Sequence, residues 1–277
     1  MSHFSTVKTQ LRKKEFLKQA LIDLGYVPNE GENLVIVHGL FGMSDNWNTI
    51  GKKLSKYFRV HILDLRNHGK SPHSNNFNYE VMCQDLNEYI IDHDLVKPII
   101  LGHSLGGKLA IKFALMYSEK VKKIIVADIA PKKYNNSEQK YYLEQLNNLD
   151  LRNYEKRVEI DRVLSRTCSN KSIRLFLLKN LCRKKDGRFG WKFNLPTLMS
   201  KLDNIRNGFF DEKRITVPAC FLKGERSDYI LDKDKLLINN LFYNYRIVSI
   251  SNAGHWLHVD NQSDFLKEVI KFCQENS

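Results

Sequence analysis

Short apolar runs alternate with segments of helical periodicity along most of the chain. The runs are four to seven residues long, as buried strands are, and the segments between them repeat apolar residues every three or four positions. This alternation predicts βαβ units and a mostly parallel sheet, because strands buried on both faces are continuously apolar. The predicted strands are 34–38, 59–65, 98–101, 123–128, 219–222 and 246–250.

Helices are predicted between these strands and at both ends of the chain. An early apolar pattern at 11–24 is followed by Gly25, a residue type that commonly ends a helix. The other helical patterns fall at 47–57, 81–90, 105–113, 236–241 and 265–273.

The alternation of predicted strands and helices is interrupted between Pro131 and Ile215. This stretch has helical patterns and many charges but no clear buried strand. The simplest organisation is one α/β core made of residues 1–130 and 216–277, interrupted by a helical insertion at residues 131–215.

The composition is that of a globular chain. Hydrophobic residues make up 42% and charged residues 27% of the 277 positions, which argues against disorder. No apolar run approaches the roughly 20 residues of a membrane span, so no stable membrane insertion is expected. Five scattered cysteines without a C-x-x-C pair favour a reducing compartment. A cytoplasmic location is predicted, and the basic, acid-poor stretch before Glu15 makes the mitochondrial matrix the alternative.

The charge is strongly basic and unevenly distributed. The chain has 44 Lys and Arg against 31 Asp and Glu, and residues 131–214 hold 20 of the former and 10 of the latter. No zinc-finger spacing or RNP motif accompanies this excess, so a nucleic-acid partner is not expected. Two interpretations stay open: a Lys- and Asn-rich surface set by compositional bias, or a basic lid that attracts an anionic substrate.

The pentapeptide GHSLG at 102–106 has the G-x-S-x-G pattern of a nucleophile elbow. It follows a predicted strand and opens a predicted helix, which places the Ser104 hydroxyl at the top of the sheet as a candidate nucleophile. The Leu105 amide lies at the start of that helix and is a candidate oxyanion-hole donor. The Leu40 amide, in the loop HGLFG at 38–42, is the candidate for the second donor.

A serine nucleophile needs a base, and His255 is the best placed of nine histidines. It lies in the loop between the last predicted strand and the final helix, which opens at the same sheet edge as the elbow. His258 lies three residues on, but a metal site there would lack a third ligand. His103 is inside the elbow, where it either packs against neighbours or shapes the mouth of the pocket.

The acid that orients the imidazole has two candidates in the order Ser, Asp, His. Asp128 ends the strand after the nucleophile's helix, and Asp228 follows the strand ending near Leu222. Generic spacing favours Asp228, whereas the buried setting of Asp128 is harder to explain structurally. Either residue could instead cap the helix that follows it.

These motifs together resemble those of the α/β-hydrolases, and among them the YbfF-type bacterial esterases, whose relatives include mitochondrial abhydrolase-domain proteins. The resemblance runs from about Asn33 to the C-terminus. The segments that carry it are VHGLFG at 37–42, DNW at 45–47, DLRNHGKSP at 64–72, GHSLGGK at 102–108, DIAP at 128–131, FLLK at 176–179 and GHWLH at 254–258.

The resemblance implies an α/β-hydrolase fold and serine-dependent hydrolysis of small acyl esters, with acyl-CoA thioesters as further candidates. It favours Asp128 as the acid, because these esterases place the acid after the strand that follows the nucleophile. They also tend to carry Ser where the wider superfamily has Asp, and Ser227 holds that place here. The hydrolysis that the resemblance implies needs no metal and no organic cofactor. The resemblance also implies that residues 131–215 form a cap over the pocket. The expected substrate-contacting residues are Phe41, His103, Phe176, Trp191 and Trp256, with Leu175 and Phe193 also on the inner face of the cap.

Two departures from the family accompany this resemblance. Residues 1–30 are longer than the usual lead-in, and Lys192 stands where an Arg is expected, which puts a guanidinium-specific contact in doubt. The same triad would also suit a carbon–carbon bond hydrolase or lyase, and a triad-bearing ligand receptor is a non-enzymatic alternative.

Overall fold

The computed structural model describes residues 31–135, 137–209 and 213–275. The helix predicted at 11–24 lies outside these residues. The strands are β1 (Asn33–Val37), β2 (Arg59–Leu63), β3 (Ile99–His103), β4 (Lys123–Ala127), β5 (Leu181–Arg183), β6 (Phe189–Trp191), β7 (Ala219–Gly224) and β8 (Tyr245–Ile250). The α-helices are α1 (Asn48–Leu54), α2 (Tyr79–Asp92), α3 (Leu105–Met116), α4 (Glu138–Asn147), α5 (Arg157–Leu164), α6 (Lys171–Leu178), α7 (Leu195–Ser200), α8 (Leu202–Arg206), α9 (Asp234–Leu241), α10 (Leu257–Asp260) and α11 (Gln262–Gln274).

Six strands form one parallel sheet in the order β2-β1-β3-β4-β7-β8. All six correspond to strands predicted from the sequence. The central strands β3 and β4 are buried along their whole length, as their mainly apolar sequences lead one to expect. The prediction of an α/β core with a mostly parallel sheet is confirmed.

Each strand of the sheet faces two apolar cores. In β1, Val35 belongs to the core that includes Leu109 of α3, and Ile36 belongs to the opposite core with Phe265 of α11. Because successive side chains point to opposite faces of the sheet, helices cover both faces. The ends of the strands are not covered in this way. The carboxyl ends of β3, β4, β7 and β8 meet at one edge, where ligands bind in open α/β sheets.

The segment between β4 and β7 contains helices α4 to α8 and a hairpin of β5 and β6. In the hairpin, Leu181 pairs with Trp191 in antiparallel register, and the turn passes through Gly187 at φ 81°. The sequence showed no clear strand here, because three-residue strands are too short to display a period. We refer to the part of residues 131–215 that the structure describes as the cap.

None of the helices in the described parts of the chain combines the length and the apolar content that a membrane crossing requires.

Candidate active site

Ser104 lies in a tight turn between β3 and α3. Its backbone has φ 51° and ψ −112°, and its amide donates a hydrogen bond to the Ala127 carbonyl at 3.0 Å. A Cβ on Gly102 would lie 2.1 Å from the Gly106 carbonyl oxygen, and one on Gly106 would lie 2.4 Å from the Val37 carbonyl oxygen. Both positions therefore require glycine, which is the physical reason for the G-x-S-x-G pattern.

The 38–42 loop packs directly against this turn. A Cβ on Gly39 would lie 3.2 Å from the Ser104 Cβ, and Phe41 adopts a positive φ of 63°. Leu40 and Leu105 are both buried. The two amides suggested as oxyanion-hole donors thus belong to the Ser104 turn itself and to the loop packed against it.

His38 braces this loop. Its Nδ1 donates to the Gly39 carbonyl at 2.8 Å, and its Nε2 accepts from the Leu65 amide at 3.0 Å. An imidazole that donates from one nitrogen and accepts at the other is neutral. Burial lowers the pKa of His38, which agrees with that charge state.

Asp128 accepts hydrogen bonds from three donors while being fully buried. Its Oδ1 accepts from the Gly224 amide at 2.9 Å, and its Oδ2 accepts from the His255 Nδ1 at 2.8 Å and from the Ser227 hydroxyl. Because the Nδ1–H of the imidazole donates its hydrogen bond to this carboxylate, Nε2 of the neutral ring is left as the acceptor, as a general base requires.

Asp228 does not share this position. Its side chain is exposed, whereas the neighbouring Ser227 turns inward because its amide bonds to the Gly224 carbonyl at 3.0 Å. Of the two acid candidates that the sequence offered, the structure brings Asp128, not Asp228, to the His255 ring.

Tyr229 and His103 pack around His255. The Tyr229 ring stacks on the imidazole with a centroid distance of 3.7 Å and an interplanar angle of 15°. The His103 Nε2 donates to the His255 carbonyl at 2.8 Å. Burial, with smaller contributions from His255 and His258, places the pKa of His103 well below its usual range. Tyr229 was not predicted as a neighbour of the base, because its contact with His255 joins two loops that are distant in sequence.

His258 packs in the core beside the site. Its ring stacks on Trp47 at 4.2 Å with an interplanar angle of 11°, and burial lowers its pKa to about 3. Within the described parts of the chain, no group of three or more His, Cys, Asp or Glu side chains is arranged to hold a metal ion.

Aromatic side chains join the cap to the core above the site. Phe41 lies 5.8 Å from Phe193, which stacks on Trp191 at 5.5 Å. Phe176 of α6 lies 5.2 Å from Trp256, the residue after His255. The expected pocket residues Phe41, Phe176, Trp191 and Trp256 therefore lie at the boundary between cap and core.

Three other expected pocket residues are placed differently. Leu175 is 42% exposed to solvent, and Phe193 is almost fully buried beneath Trp191. His103 is also buried, and its polar contact is the backbone of the His255 loop. Lys192, where the family pattern suggests Arg, has its ammonium 3.7 Å from the Asp45 carboxylate.

Known proteins resemble this chain in both sequence and structure. The model of the alpha/beta hydrolase fold family matches residues 32–262. The chain is 35% identical to the sn-1-specific diacylglycerol lipase ABHD11 of Mus musculus, over 86% of this chain and 80% of the relative. It is 29% identical to esterase YbfF of Escherichia coli, over 87% of this chain and 93% of the relative.

A solved structure of a marine microorganism esterase superposes with a TM-score of 0.86 and 43% sequence identity. The superposition covers 89% of this chain and 97% of that esterase. The resemblance to YbfF-type esterases that the motifs indicated is confirmed. On the family match, the sequence relatives and the superposed structure, the chain belongs to the α/β-hydrolase family.

Proposed function

We propose that this protein hydrolyses carboxylic esters with Ser104 as nucleophile, His255 as general base and Asp128 as the orienting acid. Its place in the α/β-hydrolase family, among named esterases and lipases, makes the chain a carboxylic-ester hydrolase. The observation that carries the assignment of residues is the bond from His255 Nδ1 to the buried Asp128 carboxylate beside the Ser104 turn.

The reaction proceeds through an acyl-enzyme. The Ser104 hydroxyl attacks the ester carbonyl while His255 takes its proton, and the Leu40 and Leu105 amides stabilise the oxyanion. The imidazolium then gives that proton to the departing alkoxide, which leaves as the alcohol. Water attacks the acyl-serine, His255 takes the water proton and returns it to Ser104, and the carboxylic acid leaves.

Pre-steady-state turnover of p-nitrophenyl acetate tests this mechanism. We expect a burst of about one p-nitrophenolate per chain, followed by sustained turnover, because this activated ester should acylate Ser104 faster than water removes the acetyl group. Intact mass measurement of the quenched burst should show one added acetyl group. A burst without later turnover would instead indicate the receptor alternative, and turnover without any acyl-enzyme at any pH would contradict the nucleophilic mechanism.

Acyl-CoA thioesters are a second candidate substrate class, supported by the charge of the cap. Exposed cations lie at the two ends of α6 and along the hairpin of β5 and β6, namely Lys171, Lys179, Arg183, Lys184, Lys185 and Arg188. The phosphates of CoA are negatively charged, and a basic surface raises their local concentration. A thiolate is also a better leaving group than an alkoxide, so the same residues suffice.

Salt should distinguish this class from neutral esters. Raising ionic strength from 0.1 M to 1 M shortens the Debye length from about 10 Å to about 3 Å. We expect KM for decanoyl-CoA to rise about 3- to 10-fold over this range, and KM for p-nitrophenyl decanoate to change less than about 2-fold. The matched acyl chain controls for salt effects on the pocket. An equal change of KM with salt for the two substrates would show that the basic cap does not attract the CoA phosphates.

A further inference from the structure

A buried lysine joins the helix behind the nucleophile to the point where the cap leaves the core. Lys108 lies on α3, one turn after Ser104, and its side chain is 1% exposed. Its ammonium nitrogen donates to the Asn207 carbonyl at 2.7 Å and to the Arg206 carbonyl at 3.1 Å. These carbonyls lie at and just after the end of α8, the last helix of the cap.

The chain segments that enter and leave the cap are held together at the same place. The Tyr134 amide donates to the Arg206 carbonyl at 3.0 Å, and the Phe209 amide donates to the Pro131 carbonyl at 2.8 Å. We call residues 131–134 and 206–209 the neck. A Cβ on Gly208 would lie 2.8 Å from the Lys133 amide nitrogen, so the two chain segments of the neck are in close contact.

Lys108 also faces the aromatic side chain that links the neck to the active site. Its nitrogen lies 4.9 Å from the centre of the Tyr134 ring, a distance at which a cation is attracted to the ring face. The Tyr134 hydroxyl donates to the Tyr229 carbonyl at 2.7 Å, and the Tyr229 ring stacks on His255.

The environment of Lys108 suits a fixed donor rather than a solvated charge. Burial, followed by the charge of Lys132, lowers the pKa of Lys108 to about 7. The two carbonyls require two N–H donors from this nitrogen, and the charged and the neutral amine both supply them. Burying such a group is costly unless its donors are satisfied, so both contacts are needed for this packing.

We propose that Lys108 is a positioning residue that fixes the pose of the cap over the pocket and thereby sets the activity on long acyl chains. The inference rests on the ester hydrolysis proposed above. The aromatic contacts at the boundary between cap and core, made by Phe41, Phe176, Trp191 and Trp256, are the expected path of a long acyl chain. An acetyl group is too short to extend beyond the Ser104 turn. Loosening the neck therefore weakens long-chain binding more than the chemistry at Ser104.

The test compares Lys108→Met with Lys123→Met on p-nitrophenyl acetate and p-nitrophenyl dodecanoate. Lys123 is a matched control, because it is a buried lysine whose nitrogen donates to carbonyls at the end of α11, at 3.0 Å for Phe272 and 3.3 Å for Cys273. We expect Lys108→Met to lower kcat/KM for the dodecanoate about 10-fold or more, mainly through KM, and for the acetate less than about 3-fold. The ratio of the two substrates should stay at its wild-type value in Lys123→Met.

A second variant perturbs the neck without touching Lys108. In Gly208→Ala, the added methyl group would meet the backbone of Lys132 and Lys133, so the two neck segments must separate. We expect the same selective loss on the dodecanoate. An unchanged substrate ratio in a folded Lys108→Met or, if that variant does not fold, in Gly208→Ala would overturn the proposal.

Hydrogen exchange separates this proposal from the proposed function. The Tyr134 and Phe209 amides should exchange about 10-fold faster or more in Lys108→Met than in wild type. Unchanged protection of both amides in the folded variant would overturn the positioning role even if the enzyme were inactive on every ester. Wild-type protein that leaves the acetate ester intact would contradict the proposed function alone.

Discussion

Replacing Ser104 with alanine is expected to lower kcat on p-nitrophenyl esters by about 10⁵- to 10⁶-fold, the loss typical of a serine triad without its nucleophile. The residual rate would come from the oxyanion hole and from binding alone. Alanine keeps the Cβ and leaves the backbone at φ 51° unchanged, so the fold loses only one oxygen atom. The free energy of unfolding should therefore change by less than about 0.5 kcal/mol.

Ser55→Ala is the matched control for this experiment. Ser55 is also buried, and its hydroxyl donates to the Lys52 carbonyl at the end of α1, away from the candidate site. Its turnover should equal that of wild type. Steady-state rates and thermal melts of the wild type, Ser104→Ala and Ser55→Ala test whether Ser104 is needed for turnover but not for the fold. Ester cleavage by Ser104→Ala at the wild-type rate would show that another group performs the reaction.

The sequence predicted the sheet well because its central strands are buried on both faces. Strands such as Ile99–His103 and Lys123–Ala127 consist almost wholly of apolar residues bounded by turn residues, and no solvent-facing pattern competes with that signal. The Ser104 turn was predictable for a similar reason, since Gly102 and Gly106 are fixed by close backbone contacts.

Features that depend on long-range contacts left weaker signals. The stacking of Tyr229 on His255 joins two loops that are distant in sequence, and nothing in the local pattern of either loop requires it. The hairpin of β5 and β6 was missed because each strand has three residues. Lys108 looks like an ordinary helix residue until the neck of the cap is placed over it.

The choice between two acids shows the same limit at the candidate site. Both Asp128 and Asp228 follow strands that end at one sheet edge, so periodicity alone could not separate them. The two residues differ in the direction in which their side chains point. Asp128 adopts a positive φ of 51° that turns its side chain under the His255 loop, while the turn at Ser227 leaves Asp228 in solvent.

Asp128→Asn is expected to lower kcat about 10⁴-fold with little change in KM. The Gly224 amide must still find an acceptor at the Oδ1 position, so the new amide NH₂ takes the place of Oδ2 and faces His255 Nδ1. Two donors cannot face each other at 2.8 Å, and the imidazole must move its proton to Nε2. The base then presents an N–H to Ser104 and can no longer accept the proton of its hydroxyl.

Asp228→Asn is the control for this substitution, since it makes the same change of charge one residue beyond Ser227. Its exposed side chain has no contact with the His255 ring, so its turnover should stay within about 2-fold of wild type. Asparagine also tolerates the positive φ at position 128, so a loss of activity in Asp128→Asn without a collapse of the melting transition reports on the imidazole itself. The reverse result, with Asp228→Asn inactive and Asp128→Asn active, would mean that the His255 loop rearranges to a different acid during catalysis.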